Sequence, residues 1–379
     1  MLQQNKILGI CSLRVATRQA EKYCTSFLNP RKQVIHTNIL QVHVLHCSIQ
    51  TVPNMKIINY VTTALLILSG IETAAQGKNN EPRGRAIVQI YTNFHSGFGA
   101  VNDDRGFVLD RSYIGYEYDL KRGLSIKGVL DIGQSDDVND YQRIAYIKNA
   151  FIGWKWKSLA LNGGLIPTTQ FNYQENFWGF RYVYSSFQDR YKFGSSADLG
   201  FSASYRFARW ISADVIIANG EGFKQIQVND GLLYGIGTTI MPFKGMSLRL
   251  YASLNEGANG TKDIINYAMF AGYKHRYFSA ALEYSIMRNS SRMAGKNLYG
   301  FSLYATGTLN RWLSIYARTD GLMSSDDWNE QNDEIAIIAG AQFKLGRFVK
   351  IAPNFRIFIP KANGIENRYY GYISCSFGL

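Results

Sequence analysis

From residue 86 to the last residue, apolar side chains alternate with polar or small ones in runs of about ten residues. Within residues 298–309, for example, Phe301 and Leu303 flank Ser302. Successive side chains of a β-strand point to opposite faces. Because about 9–11 residues of tilted strand cross a bilayer, the pattern predicts membrane-crossing strands with the apolar face outward and the polar face inward.

Sixteen such runs are present, and their connections alternate in length. The runs are 86–95, 106–119, 123–133, 142–156, 158–167, 195–207, 211–219, 231–241, 246–256, 265–275, 277–287, 297–309, 312–322, 333–344, 348–358 and 367–379. Short–long alternation along an even number of strands is typical of outer-membrane barrels. The sequence therefore predicts an all-β fold, a 16-stranded antiparallel transmembrane β-barrel with short periplasmic turns and long external loops.

Composition excludes the other fold classes. Charged residues make up 18% of the chain and aromatic residues 14%, whereas disordered chains lack aromatics and carry dense charge. Four cysteines in 379 residues are too few for a disulfide scaffold. No run of about 20 apolar residues marks a membrane-spanning helix.

The start of the chain carries an export pattern in an unusual place. Met55 and Lys56 precede the apolar stretch 61–71, and small residues at 73–75 follow it, which predicts a secretory signal peptide. A signal peptide belongs at an N-terminus, so we expect that residues 1–54 come from a start codon assigned too early. The predicted organisation is 1–54 not translated, 55–75 signal peptide, 76–85 a short periplasmic segment and 86–379 the barrel.

Two features of the last strands lead to separate predictions. Pro353 lies in a predicted strand and has no backbone N–H to donate to the neighbouring strand, so we expect a β-bulge at this position. The final run places apolar residues on one face and ends at Leu379. This pattern is similar to the signal that the barrel-assembly machinery reads, and it implies that machinery as a partner.

The connection 168–194 is the longest one, and it is rich in Phe, Tyr and Trp. An aromatic segment of this length is not expected to stand in water. We expect it to fold into the lumen and narrow it, since long structureless loops are usually functional. The alternative is packing on the barrel rim or on a neighbouring protomer. Its basic residues are Arg181, Arg190 and Lys192.

Alternation also assigns charged side chains to the inner face of the barrel. With the loop residues, the candidate pore-lining set is Arg111, Lys127, Asp131, Arg181, Arg190, Lys192, Arg206, Arg249, Arg318, Asp320 and Arg356, and Lys350 shares the inward face. Basic residues dominate this set, which indicates anion preference because rings of charge set pore selectivity. Arg318 and Asp320 could equally pair with each other and stiffen the wall.

Several other functions are disfavoured. The formal charge is +13, and the Lys and Arg residues are scattered rather than clustered, so nucleic acid is not expected as a partner. The Lys and Arg residues near the short turns suit contact with lipid phosphates and lipopolysaccharide. The acidic stretches 135–140 and 324–333 do not follow the spaced pattern of a calcium loop, so no metal is expected. Beyond residue 75 the histidines are His95 and His275, too few for a catalytic constellation. We expect no enzyme activity and no cofactor.

Five short motifs support a resemblance to a known family. Residues 111–118 (RSYIGYEY), 123–125 and 130–131 resemble the early strands of the phosphate-selective porin O and P family, and residues 316–320 (YARTD) and 350–356 (KIAPNFR) resemble its late strands. The resemblance covers about residues 86–379 and extends to related Gram-negative porin-like families. It implies a trimeric outer-membrane porin with an inward third loop. Phosphate selectivity in that family depends on a lysine- and arginine-rich ladder and on loop lysines, whereas the long connection here has one lysine, Lys192.

The sequence thus predicts a passive outer-membrane channel for small hydrophilic solutes, with a preference for anions that include phosphate. The rival hypothesis is a non-conducting structural or adhesive barrel that binds partners through its external loops.

Overall fold

The computed structural model of the protein describes residues 83–99, 102–135 and 142–378. The predictions for residues 1–54, for the signal peptide 55–75 and for most of the acidic stretch 135–140 lie outside the described residues. The first strand begins at Arg83, so the end of the segment predicted as 76–85 belongs to the barrel wall.

Each predicted run corresponds to one strand, with ends that differ by no more than three residues. The strands are β1 (Arg83–Phe98), β2 (Arg105–Asp119), β3 (Leu124–Gln134), β4 (Arg143–Trp156), β5 (Leu159–Pro167), β6 (Ala197–Ala208), β7 (Ile211–Ala218), β8 (Leu233–Ile240), β9 (Met246–Asn255), β10 (Ile264–Lys274), β11 (Phe278–Arg288), β12 (Leu298–Thr308), β13 (Leu313–Ser324), β14 (Glu334–Leu345), β15 (Val349–Pro360) and β16 (Arg368–Gly378).

The sheet closes on itself. Every strand pairs antiparallel with its neighbours in sequence, and β1 pairs with β16 through a register that sets Ile90 opposite Phe377. Closure leaves no strand edge with unpaired N–H and C=O groups. The predicted 16-stranded antiparallel barrel is confirmed.

The connections alternate in length as the sequence predicts. At one end of the barrel, tight turns such as 157–158 and 209–210 join the strands. At the other end the connections are longer, and the one between β5 and β6 spans residues 168–196. We refer to the two ends as the turn end and the loop end.

The two faces of the wall differ in polarity. On the outer face Leu250 is 61% exposed and Leu303 is 51% exposed, whereas their chain neighbours Arg249 and Ser302 are 4% and 0% exposed on the inner face. Large exposed apolar side chains cover the outer face around the barrel. Soluble monomers rarely expose such continuous apolar area, so the outer face suits a hydrocarbon surrounding.

Two of the three register shifts in the described wall add a charged side chain to the inner face; the third lies at the end of β6, between Arg206 and Ala208. The β1–β2 register shifts between Tyr91 and Thr92, which makes Asp110 the extra residue. The β3–β4 register shifts between Val129 and Leu130, which makes Lys148 the extra residue. An extra residue reverses the alternation beyond it, so both bulges add a charged side chain to the inner surface.

The bulge predicted at Pro353 is wrong. The register between β14 and β15 is the same on both sides of this residue, and Pro353 itself stays in register with Ile373 of β16. The ladder with β14 has no pair at Pro353, while Gly340 still pairs with Asn354 and Phe343 with Ile351. The missing donor is therefore absorbed by a local gap in the ladder rather than by an inserted residue.

Helices are short in the part of the chain that the structure describes. They are α1 (Asn172–Trp178) and α2 (Phe187–Arg190), with 3-10 turns at Lys121–Gly123, Ser290–Arg292 and Ser325–Asp327. None of the described helices has the length and apolarity needed to cross a membrane.

The outer face leads to a first prediction. Leu250→Arg places a charge midway along β9, and we expect it to cost about 2–4 kcal/mol of unfolding free energy because that position would lie at mid-bilayer depth. Leu309→Arg is a matched control, since Leu309 is equally exposed at 61% but lies beyond the end of β12. Its cost should be about 0–1 kcal/mol. Urea unfolding in lipid vesicles measures both.

Equal losses for the two variants would contradict the assignment of the outer face to hydrocarbon, because the cost of a charge depends on its depth only inside a bilayer.

Candidate functional site

The connection between β5 and β6, residues 168–196, is called the long loop here, and it contains α1 and α2. Gly179 ends α1 with φ of 71°, a left-handed conformation that glycine adopts without steric cost. The chain turns back at this point, which brings the aromatic segment 180–184 alongside α1. Phe171, Phe187 and Phe193 are at most 1% exposed, and Phe187 and Phe193 pack with Met287, Leu298 and Leu322 of the wall.

The aromatic side chains of the long loop pack on the inner wall. The Trp178 ring lies 5.1 Å from Tyr304 of β12, and the Phe180 ring lies 4.7 Å from Tyr316 of β13. Each buried side chain of this size contributes roughly 1.5–3 kcal/mol, and paired rings add about 0.5–1.5 kcal/mol. The long loop therefore lies inside the barrel against strands β10–β15.

Polar contacts fix the loop to the same wall. Arg356 Nη2 donates to the Val183 carbonyl oxygen at 2.6 Å, and the Tyr182 hydroxyl donates to Gln342 Oε1 at 3.0 Å. Burial raises the pKa of Tyr182 and of Tyr184. Both phenols are therefore neutral, and Tyr182 retains the proton that it donates.

Arg181 occupies the bend of the long loop. It pairs with Glu175 of α1 and, through Nη2, with Asp189 Oδ2 at 2.9 Å. The Ser186 hydroxyl also donates to Glu175 Oε2 at 3.2 Å. These contacts join α1 to the segment 181–189 and hold the Arg181 guanidinium at the tip of the long loop.

Four cavities border the long loop among the described residues. The loop-end cleft, between Lys192 and Trp328, has a volume of about 750 Å³. The upper chamber, between Arg111 and Tyr184, has a volume of about 550 Å³. The lower chamber, between Lys127 and Glu175, has a volume of about 440 Å³. The turn-end chamber, between Lys274 and Lys344, has a volume of about 370 Å³. All four are bordered by residues of the long loop.

Consecutive cavities share lining residues. Arg190 and Arg368 line both the loop-end cleft and the upper chamber. Arg181 and Tyr182 line both the upper and the lower chamber. Lys350 lines both the lower and the turn-end chamber. The cavities therefore follow one another from the loop end to the turn end, and the tip of the long loop lies at the middle junction.

Most of the basic residues singled out from the sequence line these cavities. Arg111, Arg181, Arg190 and Arg356 line the upper chamber, Lys127 lines the lower chamber and Lys192 lines the loop-end cleft. Asp131 is 1% exposed beneath Arg111 and Lys148, with Oδ1–Nη1 and Oδ2–Nζ distances of 3.4 and 3.7 Å. Its negative charge is therefore compensated and withdrawn from the lumen.

Three other members of the sequence set lie behind the long loop. Arg318 and Asp320 are 2% and 0% exposed and form a bidentate pair, with distances of 2.8 and 2.7 Å. Arg249 forms a similar pair with Asp214, at 2.7 and 2.9 Å. Both arginines face inward, but their charge is neutralised where they lie. By its position in β6, Arg206 faces the inside of the barrel near the turn end. It is exposed and lines none of the four cavities.

Several charged residues of the interior were not among the candidates predicted from the sequence. Side-chain alternation missed Lys148 because the bulge in β4 reverses the parity there. Lys274 and Lys344 follow regular alternation and could have been found by it. Glu283 is 2% exposed and accepts a hydrogen bond of 2.8 Å from the Tyr304 hydroxyl; its burial depends on the position of the loop, which sequence spacing does not give.

The turn-end chamber has the simplest electrostatics. Lys274, Arg276, Lys344 and Lys350 line it together with His275, and no carboxylate of a described residue lines it. Lys344 and Lys350 are directly opposite each other in the β14–β15 register. Like charges in this position repel, so the chamber concentrates positive potential at the turn end.

Comparisons with known proteins bear on the fold. No family model and no curated protein matches the chain. A Pseudomonas putida OprB structure is similar with a TM-score of 0.62 and 10% identity, over 78% of this chain and 94% of that one. A Salmonella typhi OmpF structure gives 0.61 and 13%, over 78% and 97%. An anion-selective porin from Comamonas acidovorans gives 0.58 and 14%, over 79% and 100%.

At these identities the likeness shows the fold: the chain forms a porin-type barrel. Among the described residues, no group of His, Cys, Asp and Glu side chains is arranged to hold a metal ion.

The buried pair behind the loop gives a second prediction. Arg318→Met leaves Asp320 buried without its bonded cation, and we expect a loss of about 3–5 kcal/mol in unfolding free energy. Arg206→Met is the control, because Arg206 also faces inward but is exposed; its effect should stay within about 0.5 kcal/mol. Urea unfolding in detergent micelles compares the two. Similar small losses would mean that the Arg318–Asp320 pair does not contribute to stability.

Proposed function

We propose that this chain is an outer-membrane porin, a passive diffusion channel for small hydrophilic solutes that prefers anions. The observation that carries the proposal is the series of adjoining cavities through a barrel of porin type. A 16-stranded barrel is wide enough for an aqueous passage unless its lumen is filled. Here the long loop fills part of the lumen and borders the cavities that remain.

Constriction by the long loop is part of the proposal. Arg181 and Tyr182 lie where the upper and lower chambers meet, opposite Tyr91 of β1. The ring of Tyr91 lies 6.2 Å from that of Tyr182. Rings at this distance are in contact and close the junction on that side, so we assign these side chains as the narrowest part of the route.

Anion preference is supported by the charges along the route. Five arginines and two aspartates line the upper chamber. Lys127, Lys148, Arg181 and Lys350 line the lower chamber with Glu175; Lys127 also pairs with Glu117 and Lys148 with Asp131, whereas Lys350 pairs with no carboxylate of a described residue. The turn-end chamber adds lysines without a lining carboxylate. Fixed positive charge in a low-dielectric passage concentrates anions; phosphate is one such anion, as the resemblance to the phosphate-selective family implies.

The surroundings follow from the wall. An apolar outer face on a closed barrel, together with the porin-type fold, supports the bacterial outer membrane as its location. In this orientation the loop end is external and the turn end is periplasmic. Lipopolysaccharide, the barrel-assembly machinery and a homotrimeric state are part of the same proposal.

The narrow point gives a third prediction. Tyr182→Ala removes a ring from the junction of the upper and lower chambers, and we expect the single-channel conductance in planar bilayers to rise because the route becomes wider there. Tyr205→Ala is the matched control, since Tyr205 is 46% exposed on the outer face of β6. Its conductance should equal that of the unaltered protein.

Two results would count against the proposal. An unaltered protein that inserts into bilayers without conducting would favour the rival role, a structural or adhesive barrel. A conducting channel whose conductance is the same in Tyr182→Ala would place the long loop outside the route of solutes.

The turn-end chamber gives a fourth prediction. The double variant Lys344→Gln, Lys350→Gln removes two facing positive charges, so we expect the reversal potential in a salt gradient to move toward cation permeability. The shift should shrink at about 1 M salt, where the Debye length is only about 3 Å. Lys157→Gln serves as the control, because Lys157 lies in a turn and contacts the outward Trp156 ring at 4.8 Å.

An unaltered channel that already prefers cations at low salt would refute the anion preference. A double variant with an unchanged reversal potential would show that selectivity is set elsewhere along the route.

A further inference from the structure

The loop-end cleft combines an apolar floor with basic groups above it. Met287, Leu298 and Leu322 of the wall form the floor with Tyr191 and Trp328. Its volume of about 750 Å³ falls in the range of small-molecule sites, roughly 300–1,000 Å³. Ligand sites of this kind join a mostly apolar lining to a few polar groups that orient the ligand.

The polar groups of the cleft carry a positive balance. Lys192 is exposed and makes no hydrogen bond or ion pair with a described residue. Arg190 contacts the Tyr184 ring at 5.4 Å, whereas Arg368 pairs with Glu334 at 3.0 Å. Glu334 therefore offsets the charge of Arg368, and the charges of Arg190 and Lys192 are left for a ligand.

Asp333 also borders the cleft but is withdrawn from it. The residue is 0% exposed, and its Oδ2 accepts hydrogen bonds from the Ser324 amide and hydroxyl at 2.8 and 2.6 Å. Its Oδ1 accepts one from Asn329 at 3.2 Å. Because the carboxylate is satisfied by its own loop, it does not oppose an anion bound above the floor.

The backbone holds Lys192 in place. Its φ is 56°, a conformation that non-glycine residues adopt rarely and that persists only when surrounding contacts enforce it. The Phe193 amide donates to the Gln188 carbonyl oxygen at 2.8 Å, and the Phe193 ring is 1% exposed. The free ammonium is thus carried on a fixed segment beside the apolar floor.

We propose that the loop-end cleft binds small amphipathic organic anions, with the apolar body of the ligand on the floor and its carboxylate at Lys192 and Arg190. This inference rests on the proposed channel function and names its solute class. Inorganic phosphate has no apolar surface to place on the floor. Since Arg190 and Arg368 also line the upper chamber, a bound anion is released directly into the route through the lumen.

Isothermal titration calorimetry of the full chain in detergent micelles tests the site with phenylacetate as the probe. We expect Lys192→Gln to weaken binding about fivefold, the effect of one partly exposed ion pair. Ile365→Asn should also weaken it, because Ile365 borders the cleft and is 42% exposed, so its replacement is tolerated. Phenylacetamide, which lacks the charge, should bind more weakly than phenylacetate. Lys262→Gln, in another loop, should leave binding unchanged.

Several outcomes would overturn the inference. Absence of phenylacetate binding at millimolar concentration would remove the site. Phosphate binding as tight as phenylacetate, with no effect of Ile365→Asn, would reduce the cleft to an inorganic-anion site. Equal binding of phenylacetamide, with no effect of Lys192→Gln, would leave only an apolar cleft. Because calorimetry does not require conduction, a protein that binds but does not conduct would separate failure of the channel proposal from failure of this inference.

Discussion

The pairing of β1 with β16 is the contact on which the rest of the architecture depends. In hydrocarbon there is no water to satisfy a free N–H or C=O group, so an open sheet would carry a cost of several kcal/mol for each unpaired group. Closure removes that cost. It also creates an interior that lipid does not reach, in which charged side chains and a polar loop backbone can be accommodated.

The long loop uses this interior in two different ways. Where its aromatic side chains cover β10–β15 they exclude water, and a charged residue beneath them pairs with another, as Arg318 does with Asp320. Along β16 to β5, and at the turn end of β10–β15, it leaves space, and basic residues line the cavities there. The position of the long loop thus decides which inward residues are covered and which ones line a cavity.

Side-chain alternation predicted the sixteen strands because the period of two is imposed by the backbone and by the contrast between lipid and lumen. It was unable to locate Lys148, since one inserted residue in β4 inverts the pattern locally. It gave the correct face for Arg249 and Arg318 but not their environment, because whether an inward residue is solvated or covered depends on where the long loop packs. The expectation at Pro353 was wrong because a missing donor can be absorbed by a short gap in one ladder while the other ladder stays in register.

The facing pair of Lys344 and Lys350 has a thermodynamic consequence. Two ammonium groups held opposite each other without a nearby carboxylate raise the free energy of the empty barrel. An anion that binds between them lowers it, and any ligand that binds the folded state preferentially stabilises that state by mass action. The melting temperature of the protein then becomes a reporter of which anion occupies the chamber. Sulfate and phosphate also stabilise folded proteins by exclusion from the surface, so occupancy of the chamber is the part of the stabilisation that depends on Lys344 and Lys350.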